Sequence, residues 1–412
     1  MLGKRQLNNL GIIFNNIPLA LGGAGGQWRF ERLKKQMINS FKGCQVLEAN
    51  YVSYQEQDTI QETLSDIIFK FKISEKLQRN YFVRNLFVIG VAIIKGLKCF
   101  KKGEIDAFYS PTTDPIELWP TYILHLLKGV EFFVFSHNQM EIQVEHPYVF
   151  FRKHEHYGVI HSLFWSIAEF LSHFILKRAL GIFTPSDVGR RYLEKIGIKG
   201  EATFRTSSFI DDETIFVNNL KKKYDFVVLA RIIPRKNLNT IIEALSLSNL
   251  LCGKERKMAI ITPTSGKALL DIKGLIHSKG LSDIIDIIHN ASEDSKIAVL
   301  DQSKIYISLS LDESFPTSNL EASARGLAML LSDIPAHTSI YKDAAIFVNP
   351  CDVAKIAEQM IYLTDNDDLA KKLSELSFKV SKLYLRSVVL AGEIRWMKER
   401  YETRNVGQGD FC

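Results

Sequence analysis

Apolar residues along this chain alternate between two spacings. Short runs of β-branched and aromatic side chains are separated by amphipathic stretches of ten or more residues, the pattern of strand–helix units that build a parallel sheet. A first series opens with a strand at 10–14, passes a Gly-rich turn at Gly22 to Gly26, and continues into a helix at 29–39 and a strand at 44–49. The pattern then predicts one long helical region over 58–100, strands at 105–109 and 132–135, a helix at 163–180 and a strand at 181–184. A second series predicts strands at 225–230, 258–261, 284–288, 305–309, 329–331 and 346–348, with helices between them. After Asp352 the pattern is wholly helical, and Leu390, Ile394, Met397 and Tyr401 make one apolar stripe that needs a docking surface.

Two such series predict an α/β chain of two Rossmann-like domains. The polar, aperiodic stretch at 207–213 is the expected crossing. The expected boundaries are 1–208 for the first domain, 209–388 for the second, and 389–412 for a helix and tail returning toward the first. The 412 residues supply enough apolar material for two cores, and 46% hydrophobic with 24% charged residues excludes a disordered or collagenous chain. Five scattered cysteines without a CxxC pair suggest neither a zinc site nor a disulfide framework, which fits a reducing cytoplasm. The longest apolar run, Leu86 to Ile94, is far shorter than the roughly 20 residues that span a bilayer, and no secretory signal is expected at the N-terminus. The formal charge of +6 is uneven: residues 1–205 hold 26 basic and 19 acidic side chains of the 52 and 46 in the chain, so the surplus lies in the first half.

The segment from Ile305 to Gly326 concentrates the candidate chemistry. A buried strand leads into a loop with Asp312 and Glu313, Pro316 stands where a first helical residue would gain from its fixed φ, and Glu321 lies on the helix that follows. Free N–H groups at a helix start favour anions. A nucleoside diphosphate sugar fits this arrangement, its diphosphate on Phe315, Pro316, Thr317, Asn319 and Leu320, its ribose and sugar hydroxyls on the two carboxylates. Farther upstream, the stretch FVVLARIIPRKNLNTIIEAL offers Arg231 and Lys236 directly after a strand. Fixed cations there would stabilise the negative charge that develops on a diphosphate leaving group.

Two glutamates separated by seven residues, Glu313 and Glu321, resemble the signature of the retaining glycosyltransferases of family four. In that family an Arg and a Lys opening the second domain bind the diphosphate, and Arg231 and Lys236 match that pair. The resemblance implies a GT-B fold, two Rossmann-like domains facing each other across a cleft, with the donor mostly on the second. It implies that Glu321 binds ribose, that Glu313 orients the donor sugar, and that a leaving phosphate oxygen takes the acceptor's proton. His137, ending the run FFVFSHN, matches a family histidine facing the transferred sugar, while Gly23 and Gly25 match a turn against donor and acceptor. The chain departs from the family at Ser314, where Gly is usual, and at 206–216, where an Asn-Gly element is common.

The function expected from these residues is transfer of a sugar from a nucleoside diphosphate sugar to a glycan, lipid-linked or other hydroxyl acceptor. A nucleotide-sugar epimerase or hydrolase of the same fold, or an inactive scaffold, is the alternative. No metal or other cofactor is expected, because the acidic triplet Asp365, Asn366 and Asp367 sits between two helices and reads as termination and capping. A dinucleotide site using Gly23, Gly25 and Glu48 would lack its third glycine, at Trp28. Nucleic acid is not an expected partner. Basic residues at Lys95, Lys98, Lys101 and Lys102, with the stripe Phe164, Ile167, Leu171 and Phe174, fit either a peripheral membrane contact at an inner membrane face or a solvated surface.

Overall fold

The computed structural model describes residues 6–15, 25–51, 68–73, 81–136, 144, 146–154, 158–215, 221–313 and 315–407. The chain divides into two compact units, Met1–Ser207 with Leu390–Cys412, and Ser208–Val389. Each is built on a parallel sheet.

In the first unit the strands are β1 (Asn9–Asn15), β2 (Gly43–Tyr51), β3 (Ile68–Ile73), β4 (Ala107–Ser110), β5 (Glu131–Phe135), β6 (Gly181–Thr184) and β7 (Thr203–Arg205). Their order across the sheet is β3-β2-β1-β4-β5-β6-β7. The expected helix over 58–100 is corrected: β3 lies inside it, and only Tyr81–Cys99 of the described residues is helical. The reason is local and tertiary together. The sequence IFKFKI alternates with a period of two, and β2 offers a free edge with which β3 pairs in parallel from Val46↔Ile68 to Tyr51↔Ile73. A helix at Pro115–Lys128 also lies between β4 and β5, where no element was predicted, with Pro115 in its first turn and Gly129 closing it in the left-handed region.

The two faces of this sheet are covered differently. Phe108, Phe132 and Ile182 share a core with Val88, Ala92, Leu124 and Leu176, so the helices Tyr81–Cys99, Pro115–Lys128 and Val159–Leu176 form one layer. On the opposite face Phe30 meets Tyr109, and Trp396 of the last helix, Arg386–Gly407, sits against Phe133, Phe183 and Phe204. Gly181 permits that approach, since a Cβ there would stand 2.6 Å from the Trp396 ring. Arg29 and Glu393, both buried, pair beneath it, and Thr206 also donates to Glu393. Leu390, Met397 and Tyr401 of the predicted stripe are buried.

In the second unit β8 (Tyr224–Leu229), β9 (Met258–Thr262), β10 (Ile285–His289), β11 (Ser303–Ser308), β12 (Ala328–Ser332) and β13 (Ile346–Val348) lie in the order β10-β9-β8-β11-β12-β13. Every expected strand of this series is present, displaced by two residues at most. The inner strands β8, β9, β11 and β12 are buried on both faces over most of their length, so they read in the sequence as short continuous apolar runs. Helices Val353–Asp365 and Asp367–Ser381 flank Asn366, whose side chain accepts from the Leu369 N–H at 3.1 Å. The acidic triplet at 365–367 thus caps a helix.

Candidate active site

The chain runs from β8 out to β9 and β10, then returns so that β11 lies on the other side of β8. Loops leaving the C-terminal ends of such a strand pair diverge, which opens a crevice for ligands. The expected site residues of the second unit fall there, Arg231 to Lys236 after β8 and Glu313 after β11. Leu311 N donates to Arg235 O at 2.9 Å and joins the two loops.

Lys236 ends a short 3-10 turn, Pro234–Lys236, and Asn237 follows in the left-handed region at φ 56°. Asn tolerates that conformation, and here its amide also donates to Pro350 O at 2.8 Å. The turn aims Lys236 Nζ at Glu313 Oε1, with which it forms a short ion pair. Arg235 Nη1 lies 3.5 Å from Glu313 Oε2, and Ser310 Oγ donates to Oε1 at 2.8 Å. Glu313 is only 6% exposed. Burial pushes its pKa up, but Lys236 and Arg235, with the hydrogen bonds from Lys236 and Ser310, outweigh it and hold the carboxyl below its ordinary value. Glu313 is therefore a fixed anion, and Lys236, with three donors, retains N–H groups for another acceptor.

Glu321 stands elsewhere in the arrangement. It is half-buried on the helix Thr317–Ala324, and Lys296 Nζ lies 3.1 Å from its Oε1 and 2.8 Å from Glu293 Oε1. Arg231 is exposed and has no ion pair among the described residues. Pro316 caps the helix from outside at φ −87° and ψ 76°, whereas it was expected as the first helical residue. The expected free N–H groups are partly spoken for: Thr317 N donates to Phe315 O, and Asn319 N and Leu320 N both donate to Pro316 O. Leu320 is fully buried in the core with Tyr306 and Met329, and Phe315 packs on Tyr384. Asn319 is fully buried, and neither of its amide atoms has a hydrogen-bond partner among the described residues. His137 and Gly23 lie outside the described residues, and Gly25 is the first residue of the helix Gly25–Asn39. Glu48 is buried and paired with Lys34 at 3.1 Å.

Sequence reasoning missed three residues. Arg235 adjoins Lys236, and the adjacent pair of cations was the available signal. Lys296 had none, because its partner is 25 positions away. His337, on the helix Pro335–Tyr341 after β12, is fully buried. Burial pushes its pKa down to about 4 despite the opposing pull of Glu313. The neutral ring contacts Ser332 Oγ through Nδ1 at 3.0 Å, while Nε2 has no hydrogen-bond partner among the described residues. Ser332 Oγ in turn donates to Ser310 O, which links the imidazole to the serine holding Glu313.

Two parallel-sheet units of this kind have the GT-B fold. Residues 211–380, which include Arg231, Lys236, Glu313 and Glu321, match the family model of Glycosyl transferases group 1. The chain is 27% identical over 252 residues to the serotype-specific mannosyltransferase WbdA of Escherichia coli, covering 57% of this chain and 31% of that protein. It is 27% identical over 124 residues to a GDP-mannose:cellobiosyl-diphosphopolyprenol alpha-mannosyltransferase of Xanthomonas oryzae, covering 29% of this chain and 32% of that one. The chain thus spans about a third of the length of the curated relatives it matches. Among solved structures, HepE of Anabaena in complex with UDP superposes with a TM-score of 0.68 at 12% identity, covering 95% of this chain and all of that one, a likeness of fold.

Proposed function

We propose that this chain transfers a sugar from a nucleoside diphosphate sugar to a hydroxyl acceptor with retention of anomeric configuration. The observation that carries the reading is the convergence of Lys236 and Arg235 on the buried carboxylate Glu313 at the strand-order reversal. Cations fixed there would bind the diphosphate and gain strength as the glycosidic bond breaks and charge moves onto the leaving phosphate. Arg231, exposed and unengaged, would complete the phosphate grip. Glu313, already ionised and aligned, would accept hydrogen bonds from donor-sugar hydroxyls, and Glu321 would take the ribose hydroxyls. The proton released by the acceptor would pass to the leaving phosphate oxygen, so no protein base enters the scheme. His137, from the first unit, is proposed to face the transferred sugar on the resemblance alone. GDP-mannose is the first donor to try, since two relatives are mannosyltransferases and one is named for GDP-mannose. The neighbour solved with UDP makes UDP-sugars the second.

The test is a screen of GDP-, UDP- and ADP-sugars for nucleotide release with and without added glycan or lipid-linked acceptors, followed by NMR of the product's anomeric proton. Acceptor-dependent release with retained configuration is expected. Release of free sugar or of an epimer regardless of acceptor would replace transfer by hydrolysis or epimerisation, and inverted product would remove the retaining mechanism.

A further inference from the structure

The outer side of the helix layer in the first unit is apolar to an unusual degree. On Val159–Leu176 the residues Ile160, Leu163, Ile167, Phe170 and Phe174 are all exposed, Ile160 by 81% and Phe170 by 73%. At 100° per residue they fall within an arc of roughly 100°, one continuous stripe. The neighbouring helix Pro115–Lys128 adds exposed Leu126 and Leu127, and Tyr81–Cys99 adds Leu86, Ile94 and Leu97. Scattered exposed apolar residues are ordinary, whereas an exposed stripe of five on one helix, with more on the two helices of the same layer, marks an interaction surface.

Charge says what kind of surface it meets. The three helices carry two carboxylates in all, Glu117 and Glu169, and both are buried. Arg84 is buried, and their lysines lie toward one rim. Each helix runs into one of three adjacent parallel strands, β4, β5 and β6, so all three C-terminal ends lie along the same edge of the layer. That edge bears Lys98 in the last turn of the first helix with Lys101 and Lys102 after it, Lys128 at the end of the second, and Lys177 and Arg178 after the third. Within this rim the exposed Glu104 pairs with Lys101 at 3.7 Å, and Glu131, at the start of β5, pairs with Arg404 at 2.7 Å. The Arg178 guanidinium lies 3.7 Å from the centre of the Phe174 ring, its charge directed past an apolar side chain.

We propose that this face docks on the surface of an anionic lipid bilayer, its apolar stripes entering the acyl boundary and its basic rim resting on the headgroups. An apolar face bordered by cations, whose own three helices expose no carboxylate, has the composition of an interfacial binder. A second copy of the chain would cover the stripes, but these helices would offer the rim no counter-charge. The face lies on the membrane and does not cross it: among the described residues no helix is long and apolar enough to span one. The proposal uses nothing from the second unit and stands apart from the donor site.

The test is co-sedimentation of the full chain with sucrose-loaded vesicles, either pure phosphatidylcholine or with about 30% phosphatidylglycerol, at low and high salt. Binding to the anionic vesicles at least tenfold stronger than to neutral ones is expected, weakened by salt. Ile160→Asp with Phe170→Asp should lower it a further tenfold or more with the melting temperature unchanged, both residues being exposed. Lys98→Ala with Lys177→Ala should cost about fivefold per lysine on anionic vesicles only. No binding to anionic vesicles, or undiminished binding of the Asp variant, would overturn the proposal. So would a wild-type dimer that ignores vesicles and becomes monomeric in the Asp variant, which would assign the face to a second copy.

Discussion

Both units reverse their strand order once, between β1 and β4 in the first and between β8 and β11 in the second, and they fill the two positions with opposite chemistry. At the second, Glu313 is held by Lys236 and Arg235, both partly open to solvent. At the first, Glu117 is fully buried and its partners include the neutral donors Asn15 N at 2.8 Å and Thr112 Oγ1 at 2.6 Å, while Asn15 Nδ2 donates to Ile116 O. A buried carboxylate that accepts from Asn15 N and Thr112 Oγ1 cross-links two strand ends. One paired with half-exposed cations keeps those cations available to an anionic ligand, because lysine and arginine have donors to spare. The same topology thus serves as a fastening in one unit and as a candidate charge site in the other.

The sharpest break of this contrast is Lys236→Ala. It should lower transfer turnover by about tenfold to a thousandfold, as loss of a donor to developing charge does, and unchanged turnover in a steady-state assay would remove Lys236 from the reaction. The packing of the last helix on the first unit's sheet is tested by Trp396→Ala, which empties the space against Phe133 and Phe183. A stability loss of about 3 kcal/mol or more is expected in urea titration, and a change within error would mean that the last helix docks without it.

Acid should separate the residues around the charge site. The folded pKa of His337 is below that of the free side chain, so its neutral burial stabilises fully above about pH 6.5 and less as pH falls toward about 4. The loss across that window should be about 3 kcal/mol. Glu313 is also held below its ordinary value, so its contribution is present above about pH 4.5 and fades only below that. Unfolding titrations of His337→Gln and the wild type between pH 7 and 4 should diverge accordingly, and parallel curves would contradict the burial of a neutral imidazole.

Smaller is the effect expected of Glu321→Ala. Nucleotide affinity measured by calorimetry should drop by about tenfold, the worth of a charged hydrogen bond, with the melting temperature nearly unchanged because the Lys296 pair lies partly in solvent. Unfolding with unaltered affinity would make Glu321 structural. Smallest is the response to chelator: if Lys236, Arg235 and Arg231 supply the positive charge at the diphosphate, activity should stay within about twofold.

The amino-acid sequence by itself determined the class of the fold and the charged elements of the second unit. Strands buried on both faces announce themselves as β-branched runs, and Glu313, Glu321, Arg231 and Lys236 stand at spacings along a strand, loop and helix that local geometry preserves. It misread 58–100, because the alternation in IFKFKI becomes a strand only where β2 offers an edge to pair with. It could not reach the pairing itself. That Glu313 meets Lys236 and Arg235 while Glu321 meets Lys296 depends on which loops the sheet order brings together. The buried His337 and the unshielded outer face of the first-unit helices were likewise settled by packing, since burial is a property of neighbours distant in sequence, and no local pattern of residues records it.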